Sequence, residues 1–440
     1  MAPRMQEYAM SGTDIMTHSS VQLHPDPSRT VLRPFDVGDP DGFGDPDRSR
    51  AQRIVDHILR LDEDERRIEL DRVLASLHSR HMGVEDVLFR RFEEISGLTI
   101  DRAATPRDTA LLIGAYFSEE YSFEAAALFN PSVILHPDQS GLPDNTIRFV
   151  LSLRGIGEGH VSSVTFRTGT WAPGGEVVID PPRPTVVSPR IESIDGDIAN
   201  GAVCFRWPDG TDPSERVLFP ITPSQRQGIE DLRLVRFTDD DGSVQILGTY
   251  TAFNGASARS EMLSSDGTEM FEIRPLNGSA GVAKGMALFP RKIDGRYVML
   301  GRQDNANIWL LTSDNLYHWE GGQKIITPEN PWEYIQMGNC GSPIELDEGW
   351  LVLTHGVGTV RTYCIGACLL DRHDPTRVIG RMRLPLVHPS PKERDGYVPN
   401  VVYSCGALVH DRTLLLPYGV SDNFATFATV PIDDLLATMI

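Results

Sequence analysis

GIEDLRLVRFTDDDGS, residues 228–243, opens on a glycine and sets two carboxylates side by side, Glu230 and Asp231. It then alternates apolar and polar side chains up to an Asp/Gly turn. Alternation marks a strand with one buried face, and the Asp-Gly cluster ends it. The phrase returns as GMALFPRKIDGRYVML from 285, GSPIELDEGWLVLTHG from 341 and PNVVYSCGALVHDRTLLLPYG from 399. Each copy is a strand, a polar turn and a second strand. NTIRFVLSLRGIGEGHVSSVTFRTG, residues 145–169, reads as a more divergent early copy. The openings lie about 56 residues apart, and an all-β repeat of that length is the signature of propeller blades. The sequence therefore predicts an all-β, five-bladed β-propeller over residues 130–440. A β-sandwich would supply the strands but not the regular recurrence.

Upstream the pattern changes. Residues 1–49 read as an extended or mobile arm: the first 30 are polar and unpatterned, and VLRPFDVGDPDGFGDPDRSR (31–50) is rich in Gly, Pro and Asp. Residues 50–129 read as an α-helical segment. Ile54, Ile58, Leu61, Ile68, Leu70, Val73 and Leu77 recur at helical spacing. A further helix is predicted over roughly 106–128, stopping at Asn130-Pro131. The apolar stripes of these helices point to support or self-association, so a homo-oligomer is expected through them.

Composition narrows the partners. The 440 residues carry a net charge of −20, which argues against nucleic acid or an anionic membrane. A few clustered arginines could still hold one anion. Five cysteines at unrelated spacings, with no paired CxxC units and no histidine cluster, predict free thiols and no metal site. No secretory h-region or bilayer-length apolar run is visible, so a cytoplasmic location is expected.

Ligands of propellers bind where the inner strand ends converge, which singles out residues at the repeat openings. These are Glu230, Asp231 and Arg233; Lys284 and Arg302 with Gln303, Asp304 and Asn305; Asn339, Ser342 and Glu345 with His355; and Asn400 with Asp422. Arg154 and the turn containing His160 join them. A ring of carboxylates, guanidinium groups, amides and imidazoles suits a hydroxyl-rich ligand such as a sugar. Trp309, Trp319 and Trp350 could stack on a sugar face, but as strand residues they read first as core. Asp231 paired with an arginine at a strand start is the purely structural alternative.

The segments GIEDLRL, ALFPRKIDGRYVML, SPIELDEGWLVLTHGV, IGACLLDRHDPTRVIGR, YVPNVVYSCGALV and YGVSDNFATFATVPIDDLL occur in an order that resembles glycoside hydrolase family 130, over roughly residues 130–440. VLRPF near the N-terminus fits as well, and the helical stretch resembles the family's longer members. The resemblance implies a five-bladed propeller acting on β-mannosides, either as a phosphorylase or as an inverting hydrolase. Leu232 stands where the family's GxEDPR motif has proline, a loss that would only relax the start of the strand.

By that resemblance Asp231 is the acid, protonating the leaving oxygen through a mannosyl hydroxyl. Burial and Glu230 are expected to lift its pKa, with Arg233 opposing. Arg154, His160, Glu230, Arg233, Lys284, Arg302, Asn305, His355, Asn400 and Asp422 would bind substrate. Arg33 could reach a neighbouring subunit's site or clasp an acid of its own chain. The attacking group is decided by charge. Arg302 and His355 suit phosphate, but Glu345 and Asp304 would repel it and could instead activate water. On that ground the sequence favours an inverting hydrolase of β-mannosidic linkages, β-1,2-linked substrates among them, with Glu345 or Asp304 as base. The alternative is a phosphorylase that uses inorganic phosphate and releases α-mannose 1-phosphate. No other cofactor is implied. The concentration of ionisable groups at the repeat openings tells against a non-catalytic glycan-binding propeller, and a five-bladed arabinanase or fructosidase fits GIEDLR and YVPNVVYSCG less well.

Overall fold

In the computed structural model the described residues are 15–39, 42, 44–45, 48–265, 269–390 and 396–440. They divide into two units. One comprises the chain up to Asp26, Glu124–Pro182 and Ser188–Ile440; the other comprises Pro27–Phe123 and Arg183–Val187. The fold is mostly β, with five α-helices among the described residues. None of these is long and apolar enough to cross a membrane.

The larger unit is built from antiparallel meanders. Ala127–Leu135, Ile147–Ile156 and Ser162–Trp171 form one; Gly228–Thr238, Val244–Phe253, Ala258–Ser265 and Met270–Pro275 form the next. A single parallel contact between Gly228 and Ser162 joins them into an eleven-stranded sheet. Gly228 is required there: its φ is 144°, and a Cβ would stand 2.6 Å from the Ser162 backbone nitrogen. Lys284–Leu288, Tyr297–Arg302, Ile308–Ser313 and Gln323–Ile326 make a four-stranded sheet. Gln336–Asn339, Trp350–Val357, Tyr363–Leu370 and Val378–Arg381 follow, with Ile344–Glu345 added to Trp350–Val357.

The last sheet departs from the predicted arm. Thr17–Leu23, expected to be mobile, is a strand paired antiparallel with Phe424–Pro431. Its sequence hides this, because only Val21 and Leu23 reach the core. The sheet continues through Thr413–Val420 to Val402–Tyr403, and Leu408–His410 pairs with Thr413–Val420 as well.

Apolar faces are buried between successive sheets. Val235, Met286 and Leu311 share one cluster; Leu300, Ile308, Trp350 and Cys368 share another. Leu351 and Ile365 pack with Leu414 and Val430, and Phe427 packs with Phe149 and Leu151, so the last sheet meets the first. Trp319 and Trp350 are wholly buried core residues. All five cysteines are free thiols.

The smaller unit holds α1 (Arg50–Arg60), α2 (Glu63–Leu77), α3 (Val84–Glu94) and α4 (Arg107–Tyr116). Asp62 caps α2 in a reciprocal box with Glu65. Val55, Ile58, Leu70, Leu88, Phe92 and Leu112 form its core. Ile68, predicted to lie on the apolar stripe, is exposed. The fourth helix is also shorter than expected. The chain leaves it at Tyr116 and becomes two strands, Ser118–Ser122 and Ala127–Leu135. Asn130-Pro131 therefore stops no helix. It sits at a bulge between Phe129 and Ser132, where proline's missing N–H costs no ladder bond. The final helix, α5 (Ile432–Ala437), belongs to the larger unit. Arg33 lies in the smaller unit, over the Tyr121 ring and ion-paired to Glu119.

Candidate active site

The strand Gly228–Thr238 skips register between Glu230 and Arg233, and Asp231 takes a left-handed backbone with φ 57°. That conformation is costly for a non-glycine residue and tends to persist where function needs it. The bulge brings Glu230, Asp231 and Arg233 to one cavity, while Leu232 is buried. Leucine in the proline's place thus serves packing and leaves the neighbouring acids in position.

The cavity has a volume of about 280 Å3, and several sheets of the larger unit contribute to its wall. On one side Arg154 donates to Glu230 Oε1 at 3.0 Å, to Asp231 Oδ1 at 3.2 Å and to Ser162 Oγ at 3.0 Å. Asn130 Nδ2 donates to the same Asp231 oxygen at 2.7 Å. Burial pushes the Asp231 carboxyl up, but Arg154, Asn130 and Arg233 together hold it below its usual range. The expected upward shift is therefore overturned: Asp231 is a carboxylate in this state. Asp422 behaves oppositely. Burial raises it to about 6, and the charge on Asp231 adds to the shift against Arg154 and Arg361.

On the other side lie the cations. Lys284 approaches Glu230 Oε2 at 3.4 Å. Arg233 donates to Asn339 Oδ1, to the Gly285 carbonyl at 3.1 Å and to Tyr403 Oη at 2.7 Å. Arg302 Nη1 donates to His355 Nε2 at 3.4 Å, and His355 Nδ1 donates to the Asn339 carbonyl at 3.2 Å. Burial, then the charges of Arg302 and Arg233, hold His355 well below its usual pKa, so the ring is neutral. Among the described residues Arg302 has no carboxylate partner, and its buried Nε has no hydrogen-bond acceptor.

Of the residues expected to catalyse or to bind substrate, Arg154, Glu230, Asp231, Arg233, Lys284, Arg302, His355 and Asp422 line this cavity, and Glu345, Asp304, Asn305, Asn400 and His160 do not. Glu345 is held by Arg291, which donates to its two oxygens at 2.9 and 2.7 Å, and by Arg372 at 3.3 Å. Asp304 caps a turn, accepting from the Ala306 and Asn307 backbone at 3.0 and 2.9 Å. Neither carboxylate lines this cavity, so the structure lends no support to the expectation of a base there. Asn305 closes the same turn. The Asn400 carbonyl accepts from the Tyr363 N–H at 2.9 Å, and the His160 ring packs against Tyr397.

Asn130, Tyr363, Tyr403, Gln336 and Arg361 line the cavity without having been expected there. Arg361 had a visible signal: GVGTVRT (356–362) repeats GIGEGHV (155–161), with Arg361 in the place of His160. Both residues sit in left-handed turns, φ 54° and 58°. In total, five cationic side chains (Arg154, Arg233, Lys284, Arg302 and Arg361) face three carboxylates. Two positive charges are left for a ligand, inside a protein whose net charge is −20. Among the described residues no group of side chains is arranged to hold a metal ion.

Residues 211–440 match a family model, Glyco_hydro_130, described as beta-1,4-mannooligosaccharide phosphorylase. A 1,2-β-oligomannan phosphorylase of Thermoanaerobacter sp. (strain X514) is 40% identical over 154 residues, 34% of this chain and 52% of that protein. A β-1,2-mannobiose phosphorylase of Listeria innocua is 34% identical over 232 residues, 50% of this chain and 62% of that protein. The matched segments thus span between half and two thirds of these relatives. A solved β-1,2-mannobiose phosphorylase from Listeria innocua, in complex with β-1,2-mannobiose, has a TM-score of 0.52 at 20% identity. It covers 71% of this chain and 92% of its own.

Proposed function

The chain belongs to glycoside hydrolase family 130, and we propose that it is an inverting β-mannoside phosphorylase, cleaving with inorganic phosphate to release α-mannose 1-phosphate. One observation carries the choice over hydrolysis: Arg302, beside neutral His355, is a half-buried arginine whose buried Nε has no acceptor and whose guanidinium has no carboxylate partner among the described residues. A partly desolvated charge without a counter-charge is unfavourable, and an anion in the site would relieve it. A fork of N–H donors suits phosphate. Lys284 and Arg361 would complete the pocket. The hydrolytic reading is left without a base, since Glu345 and Asp304 are engaged elsewhere.

In this reading a phosphate oxygen attacks the anomeric carbon as the bond to the aglycone oxygen breaks, with inversion. The leaving oxygen takes its proton from a mannosyl hydroxyl, which is resupplied by Asp231. Asp231 is ionised while the pocket is empty. An incoming phosphate would offset the surrounding cations and raise the carboxyl, so phosphate and a proton would bind together. Glu230, Arg154 and Asp422 would fix the ring hydroxyls. The larger unit is read as a five-bladed propeller: its sheets pack in succession, the last against the first, and Thr17–Leu23 completes the last one. The helical unit, with Leu59, Ile68 and Met82 exposed, is read as a support or self-association element.

The test is turnover of β-1,2- and β-1,4-mannobiose with and without phosphate, products read by NMR. Free mannose formed equally well without phosphate would overturn the proposal. The names of the two relatives described above favour β-1,2 as the linkage.

A further inference from the structure

The cavity, at about 280 Å3, is smaller than the roughly 300–1,000 Å3 of pockets that enclose drug-sized ligands. A sugar ring with a phosphate would fill it, and any further sugar units must lie outside. The residues next to its wall are apolar and exposed. Val360, preceding Arg361, is 85% exposed; Ile335, preceding Gln336, is 59% exposed; Tyr397 is 64% exposed. Exposed apolar groups gathered round a polar pocket mark a binding surface.

Two of these groups are held in place. Val360 has φ 56° and ψ 30°, a conformation that β-branched residues rarely adopt. Tyr397 packs its ring 5.2 Å from that of His160, at an interplanar angle of 38°. The backbone on either side of Tyr397 is fixed against the residue before Asp422. Val398 donates to the Ser421 carbonyl at 3.1 Å, and Gly396 lies so close that a Cβ would meet that oxygen at 2.3 Å. His160 is anchored as well. Gln227 Nε2 donates to the Gly159 carbonyl at 2.6 Å, one residue before the strand that carries Glu230 and Asp231.

We propose that Tyr397, backed by His160, is a platform for the aglycone of an oligomannoside, stacking on the third sugar counted from the mannosyl unit that is cleaved, one that the disaccharide lacks. An exposed aromatic face suits the C–H face of a pyranose, while its rim stays wet. The surface continues from a cavity lined by charged and hydroxyl-binding groups, which fits a carbohydrate chain better than a lipid or an apolar peptide. This rests on the phosphorylase reading and deepens it: the enzyme would prefer chains of three or more mannosyl units to the disaccharide.

The experiment compares kcat and KM for β-mannobiose, -triose and -tetraose at saturating phosphate in the unaltered enzyme, Tyr397→Ala and Tyr397→Phe. Tyr397→Ala should raise KM for the triose and tetraose about tenfold more than for the biose, leaving their kcat near that of the parent. Tyr397→Phe should restore the preference. Equal changes for all three substrates, or none, would overturn the platform. If the unaltered enzyme turns over no β-mannoside with phosphate, the functional reading fails separately. Calorimetry of β-mannotetraose binding then decides the platform: weaker binding to Tyr397→Ala supports it and equal affinity overturns it.

Discussion

Arg302 donates its hydrogen bond to the neutral Nε2 of His355, 3.4 Å away, and not to a carboxylate. The imidazole fixes the guanidinium without cancelling its charge. Its own Nδ1–H is committed to the Asn339 carbonyl, so the ring presents a lone pair to Arg302 and stays uncharged.

Replacing Arg302 with alanine should therefore remove an anion contact that nothing else supplies. Phosphate-dependent turnover is expected to fall by roughly 10²–10³, with the KM for phosphate raised and that for the mannoside little changed. Arg302→Lys should recover only part, because a point charge cannot reproduce the bidentate fork. Steady-state kinetics with phosphate varied is the check.

Asp231→Asn should lower kcat by on the order of 10²–10⁴. The folded protein holds Asp231 below the ordinary carboxyl range, so its contribution to stability is present above that range and fades as pH falls through the lowered value. The variant should consequently lose more thermal stability at pH 7 than at pH 3. Melting curves at the two values would show the opposite order if Asp231 were protonated in the native state.

Asp422 carries the opposite sign. With its carboxyl raised to about 6, the folded state binds a proton that the unfolded chain releases near pH 4. Stability is then lost as pH rises from 4 through 6. Asp422→Asn should melt higher than the parent at pH 7.5, and the gain should shrink towards pH 4. Its turnover should fall, since a sugar contact goes with the charge.

Glu345→Gln separates the two mechanisms. Glu345 is clasped by Arg291 and Arg372 at the edge of its own sheet, so the change should cost about 1 kcal/mol of stability and leave kcat within twofold. A loss of 10² or more in turnover, with melting unchanged, would restore it as a base.

Glu230, Asp231 and Arg233 were legible because a repeat phase and an unusual acid pair coincide in one short stretch. Glu345 occupied a matching phase, yet it lies on a strand of two residues, Ile344–Glu345. Which way such a short strand turns its side chains depends on register, and register depends on the partner. Asp304 was misread for a different reason: QDNAN is Asx-turn chemistry, and its carboxylate is spent on the backbone two and three residues on. Asn130 was hidden by the helix expected over its segment. Tyr403 lay inside a quoted motif, but nothing local marks a phenol that will meet Arg233 from 170 residues away.

The pairing of Thr17–Leu23 with Phe424–Pro431 also sets the order in which the molecule can be completed. On a ribosome the earliest of these strands must wait, unpaired, while some 400 residues are made. The intervening sheets can close on their neighbours as they appear, but Thr17–Leu23 has no ladder partner until Phe424–Pro431 has emerged. Loop-closure entropy for so long a separation favours late docking. Thr17–Leu23, made long before its partner, is thus among the last of these strands to find its place, and the cavity wall, which draws on residues from Phe129 to Asp422, is complete only once the later segments have emerged.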